Sequence, residues 1–184
     1  MKGGVLDESC TPMRSTKYSA YVDLFSREDI TIGAGETKIV PLGIKLDLDK
    51  LSKTLFEVSY SYILRSHNKV LQEEFDKFMK SHYLEVALRR SLAVKGLIIP
   101  NGIEIIDLDF TDEVGLIIHN PFTNKKTYWK DEWELIDTRY NIRKGQKVAQ
   151  CTLKKHKGYL MGYESDVVRD GGFGSTDKEI YNDK

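Results

Sequence analysis

The sequence is poor in cysteine and has no long apolar run. Its 184 residues include two cysteines, Cys10 and Cys151, which lack the spacing of a metal-binding motif. We therefore expect no disulfide framework and a reducing compartment, which predicts a cytoplasmic protein. No apolar stretch approaches the ~20 residues of a membrane span, and the amino terminus lacks the apolar segment of a signal peptide. We therefore expect no membrane contact.

The chain also has no excess charge of either sign. Its 28 basic residues balance its 28 acidic residues, so no global field attracts nucleic acid or an anionic membrane, and we expect neither as a partner. A content of 40% hydrophobic and 30% charged residues is typical of a globular protein. We interpret residues 1–184 as a single domain that is long enough to bury a core.

Short strand-like runs, separated by glycine-containing turns, occupy most of the chain. With so little helix, this pattern indicates an all-β sandwich or barrel of antiparallel strands. The runs that predict strands are residues 18–25, 29–32, 38–48, 56–64, 83–88, 97–106, 114–119, 141–153 and 158–163.

Two segments depart from this strand pattern. In residues 66–82, apolar side chains recur at helical spacing from Leu71 to Met79, behind Asn68 as a suitable N-cap, so we predict an inserted amphipathic helix. The tryptophan-containing residues 121–140 predict a second insertion, either an extended hairpin or a short helix. Both insertions are expected to pack on the sheet, and either could offer a surface to a protein partner.

Three segments carry groups suited to nucleotide chemistry. Residues 107–110 (DLDF) supply two carboxylates and an aromatic ring, and the Arg-Arg-Ser turn at residues 89–91 supplies donors that can hold an anion. The glycine-rich residues 169–176, within the carboxy-terminal segment 166–184, are typical of a flap that closes over phosphates. Holding an anion while activating a water is what the hydrolysis of a nucleotide requires.

Five segments, taken in order, resemble the motifs of the trimeric dUTP diphosphatases (dUTPases), which hydrolyse dUTP to dUMP and pyrophosphate. They are residues 20–24 (AYVDL), 88–95 (LRRSLAVK), 104–113 (EIIDLDFTDE), 145–150 (GQKVAQ) and 169–176 (RDGGFGST). The resemblance implies an all-β, distorted jelly-roll or β-clip barrel that carries the inserted helix and assembles as a homotrimer. It also implies dUTP as the substrate and Mg²⁺ as the cofactor.

The resemblance further implies a role for each matched residue. Asp107 is expected to be the catalytic base for the water that attacks the α-phosphorus. Phe110 is expected to stack on the deoxyribose, and Asn101 with its hairpin to read the uracil. Asp23 is expected to contact Mg²⁺ indirectly, through water. The other expected substrate-binding residues are Arg89, Arg90, Ser91, Ile105, Ile106, Gln150, Arg169, Phe173, Gly174, Ser175 and Thr176.

Departures from the family pattern leave two alternatives open. Glu104 replaces a glycine beside the base, and Arg90 replaces a serine that contacts the phosphates. The chain could therefore be an enzyme of the same fold for another deoxynucleotide, either a dCTP deaminase or another pyrophosphohydrolase, although the DLDF tip argues against a deaminase. It could also be a non-catalytic descendant that binds a nucleotide or a protein, against which the presence of Asp107, Gln150 and the flap argues.

Overall fold

A computed structural model of the chain describes residues 4–129 and 132–162, and the side chains of these residues outside 125–136. The strands are β1 (Val22–Phe25), β2 (Ile30–Ile32), β3 (Thr37–Pro41), β4 (His82–Leu88), β5 (Glu104–Asp107), β6 (Gly115–His119), β7 (Lys125–Trp129), β8 (Glu132–Ile136), β9 (Tyr140–Ile142) and β10 (Lys147–Lys155). The α-helices are α1 (Leu48–Phe56), α2 (Tyr60–Arg65), α3 (Lys69–Met79) and α4 (Arg90–Ala93), and short 3₁₀ helices span Glu8–Cys10 and Gly158–Met161.

The largest sheet has four antiparallel strands in the order β1-β10-β4-β5. Three two-stranded sheets pair β2 with β9, β3 with β6, and β7 with β8. Because successive residues of a strand point to opposite faces, Leu24 and its partner Ala149 enter the core, while Asp23 and its partner Gln150 lie on the other face. The expected strand-rich fold is confirmed, but the described strands do not close into a barrel.

One aliphatic cluster joins the four-stranded sheet to the β2–β9 and β3–β6 sheets. Burying a large aliphatic side chain stabilises a fold by about 1.5–3 kcal/mol, so this cluster is the main reason why the strands pack together. Its members with 0–1% exposure are Leu24, Ile32, Val40, Leu42, Val86, Leu92, Leu97, Val114, Leu116, Ile118, Ile142, Val148 and Ala149.

The region between β3 and β4 holds three helices, where the sequence predicted a strand at 56–64 and one helix. The helix prediction is confirmed at α3, and Asn68 caps it by accepting a hydrogen bond from the Leu71 amide at 3.2 Å. The strand prediction is wrong, because the side chains that pack in this segment include Tyr60 and Ile63, which are three residues apart and share a face of α2. The apolar residues of this segment alternate as in a strand, and the wrong prediction rested on that alternation.

Three further predictions meet mixed outcomes. The strand predicted at 97–106 is confirmed only over β5, because a turn at residues 100–102 separates it from Ile98, which forms an isolated bridge to His119. The segment from 158 is a 3₁₀ helix instead of a strand. Within 121–140, the hairpin alternative is confirmed by β7 and β8.

In the part of the chain that the structure describes, the helices are too short or too polar to cross a membrane.

Candidate functional site

Asp23, on β1, is the centre of a buried ion cluster. Its carboxylate is only 4% exposed and lies at the end of the four-stranded sheet. Oδ2 accepts hydrogen bonds from Ser15 Oγ at 2.5 Å and from Lys147 Nζ at 2.9 Å, and Oδ1 accepts one from Arg89 Nη1. A buried carboxylate needs such partners, because burying it alone would cost several kcal/mol.

These partners also set the protonation behaviour of Asp23. Burial raises the pKa of its carboxyl, but the hydrogen bonds from Ser15, Lys147 and Arg89 outweigh burial and hold that pKa below the ordinary value. The carboxylate is therefore ionised at neutral pH, and it fixes the positions of two cations.

The backbone brings residues of three separate motifs to this cluster. Asp23 pairs with Gln150 across β1 and β10, and Gln150 pairs with Ala87 on β4. Just beyond β4, the Arg89 amide donates to the Val148 carbonyl at 3.0 Å, which ties the start of α4 to β10. Asp23, Arg89 and Gln150, to which the resemblance gives roles at one nucleotide site, thus lie together at one end of the sheet.

Arg90 and Ser91 form the exposed first turn of α4, directly after Arg89. Both side chains are accessible from solvent at the same end of the sheet. We call this region the cation end of the sheet. It comprises the first turn of α4 and the neighbouring residues Asp23, Ser15, Lys147, Arg89 and Gln150.

Asp107 lies on the same face of the sheet as Asp23 and Gln150, but at the other end. It pairs with Tyr83 on β4, whereas Gln150 pairs with Ala87. Tyr83 and Ala87 are four residues apart, which is about 13 Å along a strand, and β5 is two strands away from β10. A single chain therefore does not bring Asp107 together with the cation end.

A hydrogen-bonded cluster that was not predicted lies on the surface between these ends. Glu85 accepts hydrogen bonds from Tyr21 Oη and, at 3.1 Å, from Tyr83 Oη. The bond from Tyr21 lowers the pKa of Glu85 despite burial, and the bond to Glu85 raises the pKa of Tyr21. The signal in the sequence was the alternation of side chains in a strand, which places Tyr83 and Glu85, two residues apart, on one face.

The segment that follows α4, residues 97–110, contains the residues expected to bind the base; it is not a separate hairpin, because its strand β5 pairs with β4. Asn101 is exposed, and its Nδ2 donates to Glu104 Oε2 at 2.9 Å. Glu104 is 5% exposed, and its Oε1 accepts a hydrogen bond from the Ile117 amide at 2.8 Å. The glutamate is therefore a buried link between β5 and β6, with each carboxylate oxygen accepting a hydrogen bond.

Of the other predicted residues in this segment, Ile105 lies at the surface, whereas Ile106 and Phe110 lie in the core. Ile105 is 61% exposed, on the same face of the sheet as Asp107. Ile106 and Phe110 are each 7% exposed and belong to the hydrophobic core of the chain. The Phe110 amide donates to the Asp107 carbonyl at 3.1 Å, which closes the predicted tight tip.

Arg169, Phe173, Gly174, Ser175 and Thr176 lie outside the described residues. Within residues 4–129 and 132–162, no three side chains of His, Cys, Asp or Glu come together as a metal site.

The chain is similar to dUTPases along nearly its whole length. The deoxyuridine 5′-triphosphate nucleotidohydrolase of Rickettsia akari is 27% identical over 173 residues, which cover 90% of this chain and 86% of that protein. The variola virus protein of the same name is 24% identical over 170 residues, covering 90% of this chain and 84% of that protein. No profile of a protein family matches the chain.

Solved dUTPase structures have the same fold. The Streptococcus mutans dUTPase superposes with a TM-score of 0.51 at 19% identity, covering 82% of this chain and 89% of that one. The dUTPase of Staphylococcus bacteriophage 80alpha, solved with dUpNHpp, superposes with a TM-score of 0.57 at 17% identity, covering 93% and 94% of the two chains. The strand-rich architecture of this chain is therefore that of the dUTPases.

Proposed function

We propose that this chain, a divergent relative of the dUTPases, hydrolyses dUTP to dUMP and pyrophosphate. The observation that carries the proposal is the meeting of Asp23, Arg89 and Gln150, from three distant segments, at the cation end of one sheet. The similarity of 90% of the chain to named nucleotidohydrolases supports it independently.

The cation end suits a triphosphate. Arg89 and Lys147 are already held by Asp23, so they need little reorganisation when phosphate oxygens arrive. Gln150, Ser91 and Arg90 would supply further donors to these oxygens. In phosphoryl transfer, such positioning and charge neutralisation provide most of the rate enhancement.

Asp107 is the proposed base. Its carboxylate would accept the proton of a water that attacks the α-phosphorus, so that a new P–O bond forms as the bond to the leaving pyrophosphate breaks. Asn101 and Ile105 would contact the nucleoside through their side chains and Ile106 through its backbone, while the Phe110 ring, which is buried in the core, would support this segment from within. Arg169 and residues 173–176 of the flap would then close over the bound nucleotide.

Mg²⁺ fits the cation end through water. The Asp23 carboxylate accepts three hydrogen bonds and has room for about one more, so it could hold a metal-bound water but not replace one. A hard cation that keeps its waters is compatible with this donor set. When bound to the triphosphate, Mg²⁺ would neutralise charge that develops on the phosphate oxygens.

The separation of Asp107 from the cation end supports a shared site. About 13 Å of strand, and two strand spacings, lie between Asp107 and Gln150 in one chain. We propose that the Asp107 of one chain serves the phosphates bound by another, within a homotrimer whose flaps complete neighbouring sites.

Each chain would be a single jelly-roll-like domain in which the segments about 66–82 and 121–140 are insertions able to bind a protein partner. Cytoplasm is the proposed compartment, because both cysteines are free, buried thiols.

Pyrophosphate release tests the proposed function. We would measure release from dUTP, dCTP, dTTP, dATP and UTP with Mg²⁺, for the wild type and for Asp107→Asn, and measure nucleotide binding by both. Rapid release from dUTP, reduced at least about 1,000-fold in the variant with binding retained, is the expected result. Preference for another nucleotide would move the proposal to that substrate, and binding without turnover of any nucleotide would favour the non-catalytic alternative.

A further inference from the structure

One edge of β6 is not paired with a full strand; its backbone groups are bonded to the backbone of Ile98 and to the side chain of Glu104. The opposite edge of β6 pairs with β3. On the first edge, the backbone of His119 exchanges hydrogen bonds with that of Ile98, at 2.8 and 3.1 Å, and the Ile117 amide donates to Glu104 Oε1 at 2.8 Å. Glu104 thus satisfies a backbone donor that another strand would otherwise satisfy.

The second oxygen of Glu104 fixes an amide at the surface. Oε2 accepts a hydrogen bond from Asn101 Nδ2 at 2.9 Å. Because the Asn101 nitrogen is the donor in this hydrogen bond, the nitrogen of the amide faces Glu104 and its oxygen faces away. Among the residues that the structure describes, none donates a hydrogen bond to Asn101 Oδ1.

We propose that Glu104 sets the base selectivity of this chain by holding Asn101 with its Oδ1 acceptor toward the substrate. The inference rests on the proposed function, in which Asn101 contacts the base. Uracil in a nucleotide has one N–H on its free edge, at N3, and this is the only ring donor that Oδ1 can accept. Cytosine has a lone pair at N3, so the same pose would set two acceptors against each other, and its 4-amino group could reach Oδ1 only if the base shifted; dCTP should therefore be disfavoured.

Glu104 is therefore a positioning residue that acts through Asn101. Its own atoms remain bonded within the protein while the amide that it orients reads the substrate. Glutamine at this position could still accept from the Ile117 amide, but its amide nitrogen could donate to Asn101 Oδ1. Asn101 would then be free to turn over and present its NH₂ group, which suits the N3 lone pair of cytosine.

The test is the ratio of kcat/KM for dUTP to kcat/KM for dCTP in wild type, Glu104→Gln, Asn101→Ala and the double variant. We expect Glu104→Gln to lower the ratio by about 10- to 100-fold. In the Asn101→Ala background, Glu104→Gln should cause no further change, because the group through which it acts is gone. Glu36→Gln, which also alters a carboxylate bonded to a backbone amide, is the matched control and should leave the ratio unchanged.

Each other outcome overturns a specific statement. If the wild type hydrolyses dUTP but the ratio is unchanged in a folded Glu104→Gln protein, the role of Glu104 is wrong and the proposed function stands. Equal effects of Glu104→Gln with and without Asn101 would show that Glu104 does not act through Asn101. If the wild type neither binds nor hydrolyses any of the nucleotides, the proposed function fails together with the inference.

Discussion

At the scale of single residues, the most constrained group is the Asp23 carboxylate. It joins Ser15, Lys147 and Arg89, which lie on separate parts of the chain. Removing one partner of a buried ionic cluster costs more than the cluster contributes overall, because the remaining charges lose their compensation. Asp23 therefore couples the stability of the sheet to the placement of Arg89 and Lys147.

Asp23→Asn should destabilise the fold by about 1–3 kcal/mol at pH 7, because the amide presents a donor to groups that are themselves donors. The pKa of Asp23 is below its ordinary value of 3.8 in the folded chain, so its ionised form adds stability above about pH 3.8. That contribution is lost as the pH falls through the lowered pKa. The difference between wild type and variant, measured by urea unfolding from pH 7 to pH 2.5, should therefore shrink below pH 3.8.

Asp137→Asn is the control for this measurement. Asp137 pairs with Arg139 at 2.6 Å, but both side chains are more than half exposed, so its removal should change stability little. Equal losses in the two variants at pH 7 would contradict the importance given to the buried cluster.

At the scale of elements, the helical region forms its own small apolar cluster beside the sheet. The Phe75 ring on α3 lies 5.8 Å from Phe56 and 5.4 Å from Tyr60, measured between ring centroids, and so joins α3 to α1 and α2. None of these residues belongs to the main core. We therefore expect the helices to open more readily than the sheet.

Phe75→Ala should destabilise the helical region by about 3–4 kcal/mol, because it removes the ring that the three helices share. Hydrogen exchange followed by mass spectrometry should show faster exchange of α1–α3 amides, with little change in β10. Val70→Ala, at a position 65% exposed on the same helix, should leave exchange close to that of the wild type. Equally faster exchange in β10 would mean that the helices and the sheet unfold as one unit.

At the scale of the whole molecule, the four-stranded sheet holds the cation end and Asp107 too far apart for one chain to use both on one phosphate. A closed oligomer with head-to-tail contacts can bring the two ends of different copies together at every interface. The exposed Ile105, on the face that carries Asp107, is an apolar group that such a contact would cover.

Mixing two inactive variants tests this arrangement. Arg89→Ala and Asp107→Ala should each be nearly inactive, but oligomers assembled from an equal mixture should recover about a quarter of the wild-type rate, because about one interface in four joins two intact halves. Mixing either variant with the double variant should recover nothing. Absence of recovery in mixtures that demonstrably co-assemble would show that each chain uses its own Asp107.

The sequence by itself determined the features that depend on local order. Its strand periodicity predicted a strand-rich chain, Asn68 predicted the start of α3, and the ordered motifs gave the resemblance to dUTPases, because periodicity, capping and motif order are written along the chain. It failed at residues 56–64, where alternating apolar residues fit a strand and a helix alike.

Only the tertiary structure decided which groups meet across the fold. The hydrogen bonds of Glu104 to Asn101 and Ile117, the pairing of Lys147 with Asp23, and the distance of Asp107 from the cation end all follow from strand register. Register depends on how side chains from remote segments pack together, and a linear pattern does not contain that information.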